Sequence, residues 1–358
     1  MDAVIIPDAI IQRIARLQTD LGLFPSVRSN PAIAYRRPDT NVFFTAITVF
    51  TLRQLHPSAS PGSQRLIDQI QARALAAYPR FRNKDGLATY NFWPTRPSQH
   101  FPNGHLFRRF EHFRIPDDID DTAMVYLTTT PTPDELRWLK TKLPQHANLT
   151  TRQIQTTFAE YQPLKAYSTW FGKQMGIDFD ACALSNMLYC IYRYRLPLNQ
   201  HDTDSLTYLR AVVESGRYKS EPFRCAPHYA RTSLIIYHLA RLIAAFDPPE
   251  LTSIRSCLIT DAYTLLAQTT NRVEQLVLAT SLIRLGAAPD AVDTVAIERD
   301  FEGFHFFIAG LLTAYEHPFL RRFAHRPLVQ MRWQCEAHNW ALVTEYLTLR
   351  ASQVSSAP

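Results

Sequence analysis

The sequence predicts a single all-α domain, and three observations lead there. Apolar residues recur at helical spacing through most of the chain, whereas strand-like alternation is almost missing. Glycine is scarce, with 10 residues, while 24 prolines fall mostly between the periodic segments, where they end helices. No linker-like stretch divides residues 1–350, and only the tail 351–358, ASQVSSAP, has the composition of a disordered end.

Helices are expected near 8–20, 40–56, 62–79, 121–129, 133–143, 178–194, 203–215, 228–246, 251–268, 271–285, 303–315 and 337–350. The stretch at 40–56, TNVFFTAITVFTLRQLH, has the β-branched and aromatic content of a strand, but its length and its Thr40/Asn41 cap favour a buried helix. The stretch at 228–246, HYARTSLIIYHLARLIAAF, joins good helix formers to apolar residues at helical spacing. Paired helices fit either a solenoid or a closed α/α barrel, and no clear internal repeat chooses between them. Residues 84–120 break the helical rhythm with Pro, Asn, His and aromatic residues. A long ordered loop in a compact domain tends to carry function.

Composition narrows the function. At 358 residues, 46% hydrophobic and 20% charged, the chain is long enough for a large core. No apolar run reaches the roughly 18 residues of a membrane span. Acids and Pro7 stand where a signal peptide needs basic and then apolar residues, so a cytoplasmic protein is expected. The five cysteines, Cys182, Cys190, Cys225, Cys257 and Cys335, form no CxxC pair and read as free thiols. Net charge is +6, and 32 of the 38 basic residues are Arg. They are dispersed without a basic stripe, which counts against nucleic acid but suits a small anionic ligand. No HxH, HExxH, GxSxG or P-loop pattern occurs among the motifs, so zinc-protease, hydrolase-elbow and nucleotide readings lack support.

The loop ends in Pro116-Asp117-Asp118-Ile119-Asp120-Asp121-Thr122-Ala123-Met124, with apolar FRI before it and apolar MVYL after it. Acids in a first helical turn complement the helix dipole, and Pro116 precedes the start. One or two acids would suffice for that. Crowded carboxylates cannot all ionise, so one of them keeps its proton near neutral pH and can serve as a general acid. A strong acid in a dry pocket is what protonating an alkene requires.

The string DIDDTAM resembles the DxDDTAM motif of class II terpene cyclases. The resemblance implies an α/α toroid of roughly twelve helices in two concentric layers. It implies Asp120 as the acid that protonates a prenyl chain, with Asp118 and Asp121 as flanking carboxylates. More loosely, DFDACALSNMLYCIY at 178–192 looks like the Asp…Asn helix of single-domain bacterial cyclases. Gly216-Arg217-Tyr218 and Tyr237-His238-Leu239-Ala240-Arg241-Leu242 look like their later Tyr and Tyr-x-x-x-Arg segments. No QxxxGxW motif is present, and the chain is too short for two cyclase domains. A lone domain must close its pocket with its own loops, with a second copy or with another partner.

The reaction needs aromatic faces for cations. Tyr90, Phe92, Trp93 and Tyr189 are the main candidates, with Phe101, Trp170, Phe171, Phe304 and Phe307 behind them. A prenyl diphosphate needs arginines and Mg2+. Arg231 and Arg241 lie ten residues apart, close to three turns, and are expected to share a helix face; Arg193, Arg195, Arg217 and Arg224 are further candidates. Asp178 and Asp180 are candidate Mg2+ ligands, although acids at a helix start commonly cap it. His100, His105 and His112 cluster in the loop, and His201 and His228 lie elsewhere.

Three rivals stand beside this reading. Asp117, Asp118 and Asp121 spell DDxxD, the Mg2+ motif of class I terpene synthases, but the partner motif (N/D)Dxx(S/T)xxxE is missing. Glycosidases built on α/α barrels also use paired carboxylates beside aromatic platforms. The third rival is a non-catalytic toroid that binds protein.

Overall fold

The computed structural model describes residues 7–97, 115–172, 175–312 and 318–356. In chain order the main elements are α1 (Pro7–Leu17), β1 (Ser26–Asn30), β2 (Tyr35–Asp39), α2 (Val42–Leu55), α3 (Pro61–Ala77), α4 (Ile119–Thr128), α5 (Pro133–Lys142), α6 (Ala181–Arg193) and α7 (Gln200–Glu214). The short α8 (Arg217–Ser220) and α9 (Pro222–Cys225) follow, then α10 (Thr232–Phe246), α11 (Arg255–Gln268), α12 (Arg272–Arg284), β3 (Phe307–Gly310), α13 (Pro318–Ala324), β4 (Gln330–Gln334) and α14 (Glu336–Ser356).

The helices sort into two kinds by their sequence. In α2, α4, α6 and α10, buried residues occupy every face of most turns. Such helices must be surrounded on all sides. By contrast α3 buries only Ser63, Ile67, Ile70, Ala74 and Ala77, a single stripe, and α11 buries only Leu258 and Ala262. The all-round buried helices pack in a closed order. α2 lies against α4, α4 against α6, α6 against α10, α10 against α12 and α12 against α14, and α14 returns to α2. One-sided helices lie outside this cycle: α3 packs on α2, and α11 packs on α12. Each fully buried Phe of α2 (Phe43, Phe44 and Phe50) contributes roughly 1.5–3 kcal/mol of hydrophobic stabilisation.

Asn41 caps α2, its side chain accepting the Phe44 N–H, so the ambiguous stretch at 40–56 is a helix. The chain is mostly helical, but the helix-only expectation missed a small antiparallel sheet of order β2-β1-β4-β3. The predicted helix at 303–315 is one casualty. Phe307–Gly310 pairs with Gln330–Gln334, because alternation along HFFIAG suits a sheet with one buried face. Within the tail, residues 351–356 are helical rather than irregular, because α14 continues to Ser356. The helix predicted from 228 begins only at Thr232, because Ala230 has φ +53 and Arg231 is extended. His228 and Tyr229 therefore sit on the turn that enters α10. No helix among the described residues is long and apolar enough to cross a membrane.

Candidate active site

The acidic run starts α4 and is enclosed by neighbouring loops. Asp118 N–H donates to the Tyr90 carbonyl, Ile119 N–H to the Thr169 carbonyl and Phe171 N–H to the Asp117 carbonyl. Held between the 90 loop and the 170 loop, Asp117, Asp118, Asp120 and Asp121 are all at most 7% exposed. Asp118 caps the helix, accepting the Asp121 N–H on Oδ1 at 2.7 Å.

Each acid has a different environment. Asp117 accepts from Asn83 Nδ2 (2.5 Å), Thr89 Oγ1 (2.6 Å) and Asn91 Nδ2 (3.3 Å). These donors take both oxygens, so Asp117 is not open to a metal as the DDxxD alternative requires. Asp120 accepts from Asn186 Nδ2 on Oδ1 and from the Tyr229 hydroxyl on Oδ2, both at 2.5 Å. Asn186 Oδ1 in turn accepts from Arg241 Nη2. Arginine can only donate, which fixes the Asn186 amide with its NH2 facing Asp120. Neither oxygen of Asp121 accepts a hydrogen bond among the described residues.

Burial sets the charge of this cluster. It raises the Asp118 carboxyl to about 7, helped by the nearby Asp120 and opposed by hydrogen bonding from Asp121. Burial, and next the Asp118 charge, raise Asp121 well above the ordinary carboxylate range. Asp120 is raised by burial too, but the Tyr229 and Asn186 hydrogen bonds and the Arg241 charge pull against that. Asp120 thus joins a carboxyl group raised by burial to donors already in place for its conjugate base.

The other candidates are placed as follows. Arg241 is 2% exposed, bonded to Asn186 and flanked by the Phe50 and Tyr237 rings. Arg231 instead pairs with Glu274 at 2.9 Å and donates to His305 Nδ1 at 3.0 Å. The expected shared arginine face therefore does not form. Trp93 is buried and donates from its indole N–H to Asp39, which the Trp333 indole also reaches. Phe92 stacks on Phe307 at 5.4 Å, and Phe307 reaches Phe43, Tyr229 and His228. Tyr189 packs on Phe50 and Phe246, and Phe50 in turn lies beneath Arg241. Tyr90 is half-buried and serves through its backbone. Trp170 meets the His228 ring edge-on at 5.2 Å, Phe171 packs on His146, and Phe304 lies under Arg231. Tyr218 bonds to Asp261, outside the acid cluster. Arg217 pairs with Glu160 and Glu221, and His201 bonds the Lys165 carbonyl. The loop candidates His100, Phe101, His105 and His112 lie outside the described residues.

Asp180 caps α6 through the Cys182 and Ala183 N–H groups and accepts the His228 N–H. Burial raises it to about 7. Asp178 lies 3.2 Å from His228 Nε2 and opens onto a cleft of about 880 Å³. Arg224, Arg231, Arg332, His305 and Glu221 also line this cleft. Arg332 Nε is buried there without a hydrogen-bond partner among the described residues. No group of three or more His, Cys, Asp or Glu is arranged to hold a metal among the described residues. Of the cleft acids, Asp178 is engaged by His228 and Thr156, and Glu221 by Arg217 and Arg224. The described residues therefore do not fit a protein-built Mg2+ site. The five cysteines are free.

Sequence reasoning missed Asn83, Thr89, Asn91 and Tyr229, because nothing local marks a residue whose partner lies far along the chain. Compared with known proteins, the chain matches no family model and no curated protein.

Proposed function

We propose that the chain is a protonation-initiated, class II-type terpene cyclase acting on a linear prenyl diphosphate such as farnesyl or geranylgeranyl diphosphate. The observation that carries the reading is Asp120, buried beside Asp118 and Asp121, with Tyr229 and the Asn186–Arg241 pair on its oxygens. Like-charged neighbours and burial keep a proton in the cluster, while the waiting donors stabilise the carboxylate left after transfer. That combination suits an alkene, which is a very poor base.

In this reaction Asp120 gives its proton to the terminal double bond. A C–H bond forms, the π pair is consumed, and a tertiary cation remains for the next double bond to attack. The carbon–oxygen bond to diphosphate stays intact. Phe43, Phe306, Phe307 and Tyr229 supply ring faces near Asp120 that attract cations. The closed cycle of six inner helices, with one-sided helices outside, supports an α/α toroid whose interior holds this chemistry. Arginines of the cleft beside Asp178 suit the phosphate end. Mg2+ would neutralise diphosphate charge, as an ion brought by the substrate rather than one held by the described residues.

The test is incubation with geranyl, farnesyl and geranylgeranyl diphosphate, with and without Mg2+, followed by phosphatase treatment and product analysis. Cyclic alcohols made by the wild type and lost in Asp120→Asn are expected. Pyrophosphate release, or equal products from both proteins, would overturn the reading.

A further inference from the structure

The proposed cyclisation ends with a cation that must lose a proton, and the acid cluster does not supply the acceptor. The interior of the helix cycle does. His238, on α10, is 1% exposed, and its Nδ1 lies 2.7 Å from the Leu234 carbonyl oxygen. A carbonyl can only accept, so Nδ1 carries the hydrogen and the lone pair of the neutral ring sits on Nε2. That Nε2 is buried and has no hydrogen-bond partner among the described residues. Around the ring stand Tyr229 at 4.8 Å, Tyr237 at 5.5 Å and Phe306 at 5.7 Å.

Acid and base flank a single aromatic ring. Tyr229 holds Asp120 through its hydroxyl at 2.5 Å and meets His238 with its ring.

We infer that His238 is the base that ends the cyclisation, taking through Nε2 a proton from a carbon beside the last cation. This rests on the cyclase reading above. The C–H bond pair becomes the new C=C π bond, the cation is neutralised, and the imidazole becomes imidazolium. Burial, and next the Arg241 charge, hold His238 far below the usual histidine range, so the ring is neutral when the substrate cation forms. A charged ring would repel that cation. The imidazolium beside Arg241 then gives its proton to solvent water once the product has left, which resets the base.

His338, on α14, also has a buried Nε2 without a partner among the described residues and meets Phe306 at 4.5 Å. Its Nδ1 faces only the Thr48 hydroxyl at 3.5 Å, which can donate or accept, so no tautomer is imposed. It is therefore the natural comparator.

The experiment compares the wild type with His238→Phe, His238→Gln and His338→Phe on the prenyl diphosphate that the wild type cyclises. The share of the wild-type alkene isomer should fall about tenfold or more in both His238 variants, with other isomers or hydroxylated products replacing it. Substrate consumption should fall much less, because protonation by Asp120 is untouched. His338→Phe should keep the wild-type product. An unchanged product in a folded His238 variant overturns the assignment. So does nitrogen NMR of the wild-type protein showing a hydrogen on His238 Nε2, a readout that needs no variant to fold. A wild type that makes no cyclic product removes the cyclase reading itself. An active wild type with an indifferent His238 removes only this inference.

Discussion

Arg241 and Arg231 stand ten residues apart at the two ends of one segment, and they meet opposite surroundings. Arg241 is sealed among the carboxylates, where its charge reaches Asp120 through Asn186. Arg231 lines the cleft, paired with Glu274. The contrast extends to the acids. Asp120 and Asp121 are enclosed and raised by burial, whereas Asp178 faces the cleft and is matched to His228. A charge in the interior tunes proton affinity, because low dielectric magnifies it. The same charge at the cleft can attract an anion.

The largest effect that sharpens this contrast is expected at the acid. Asp120→Asn should lower cyclisation by about a thousandfold, with the fold kept as judged by circular dichroism. An active variant would mean that interior and cleft do not differ in role. Next comes Arg241→Met, which removes the donor to Asn186 and keeps the stem between Phe50 and Tyr237. Thermal unfolding should show a loss of about 1–3 kcal/mol, as expected when the buried Asn186 oxygen is left unsatisfied. A change smaller than that of any surface arginine would break the comparison.

The third effect is pH-dependent stability. Asp118 is raised from its ordinary 3.8 to about 7, so the folded chain holds more protons than the unfolded chain between those values. Its contribution is fully present below 3.8 and is lost as pH rises through about 7. Asp118→Asn keeps a good helix cap and removes that titration. The melting temperature of the variant should therefore fall less between acid and mildly alkaline buffer than that of the wild type. The smallest effect belongs to the cleft. Arg332→Ala should raise KM for the prenyl diphosphate about tenfold, leave kcat near its wild-type value and change stability by no more than about 0.5 kcal/mol.

Much of the helical framework was legible because periodicity and caps are local. Asn41 and Asp180 each cap the helix that their positions suggested. The sheet was not legible, since Phe307–Gly310 becomes a strand only by pairing with Gln330–Gln334, some twenty residues later. At the site, the crowding of Asp118, Asp120 and Asp121 could be read directly. Their partners could not. Tyr229 follows Asp120 by 109 positions and reaches it only because Ala230 adopts a positive φ that delays α10.

Local sequence alone marked most of the helical segments and the four acids that share one helix start. Those properties follow from residue order and short-range sterics. Only the tertiary structure decided that the acids are enclosed, that Arg241 serves them while Arg231 faces the cleft, and that His238 keeps a bare nitrogen inside. Burial and partner choice are set by packing between distant segments, and proton affinity follows burial.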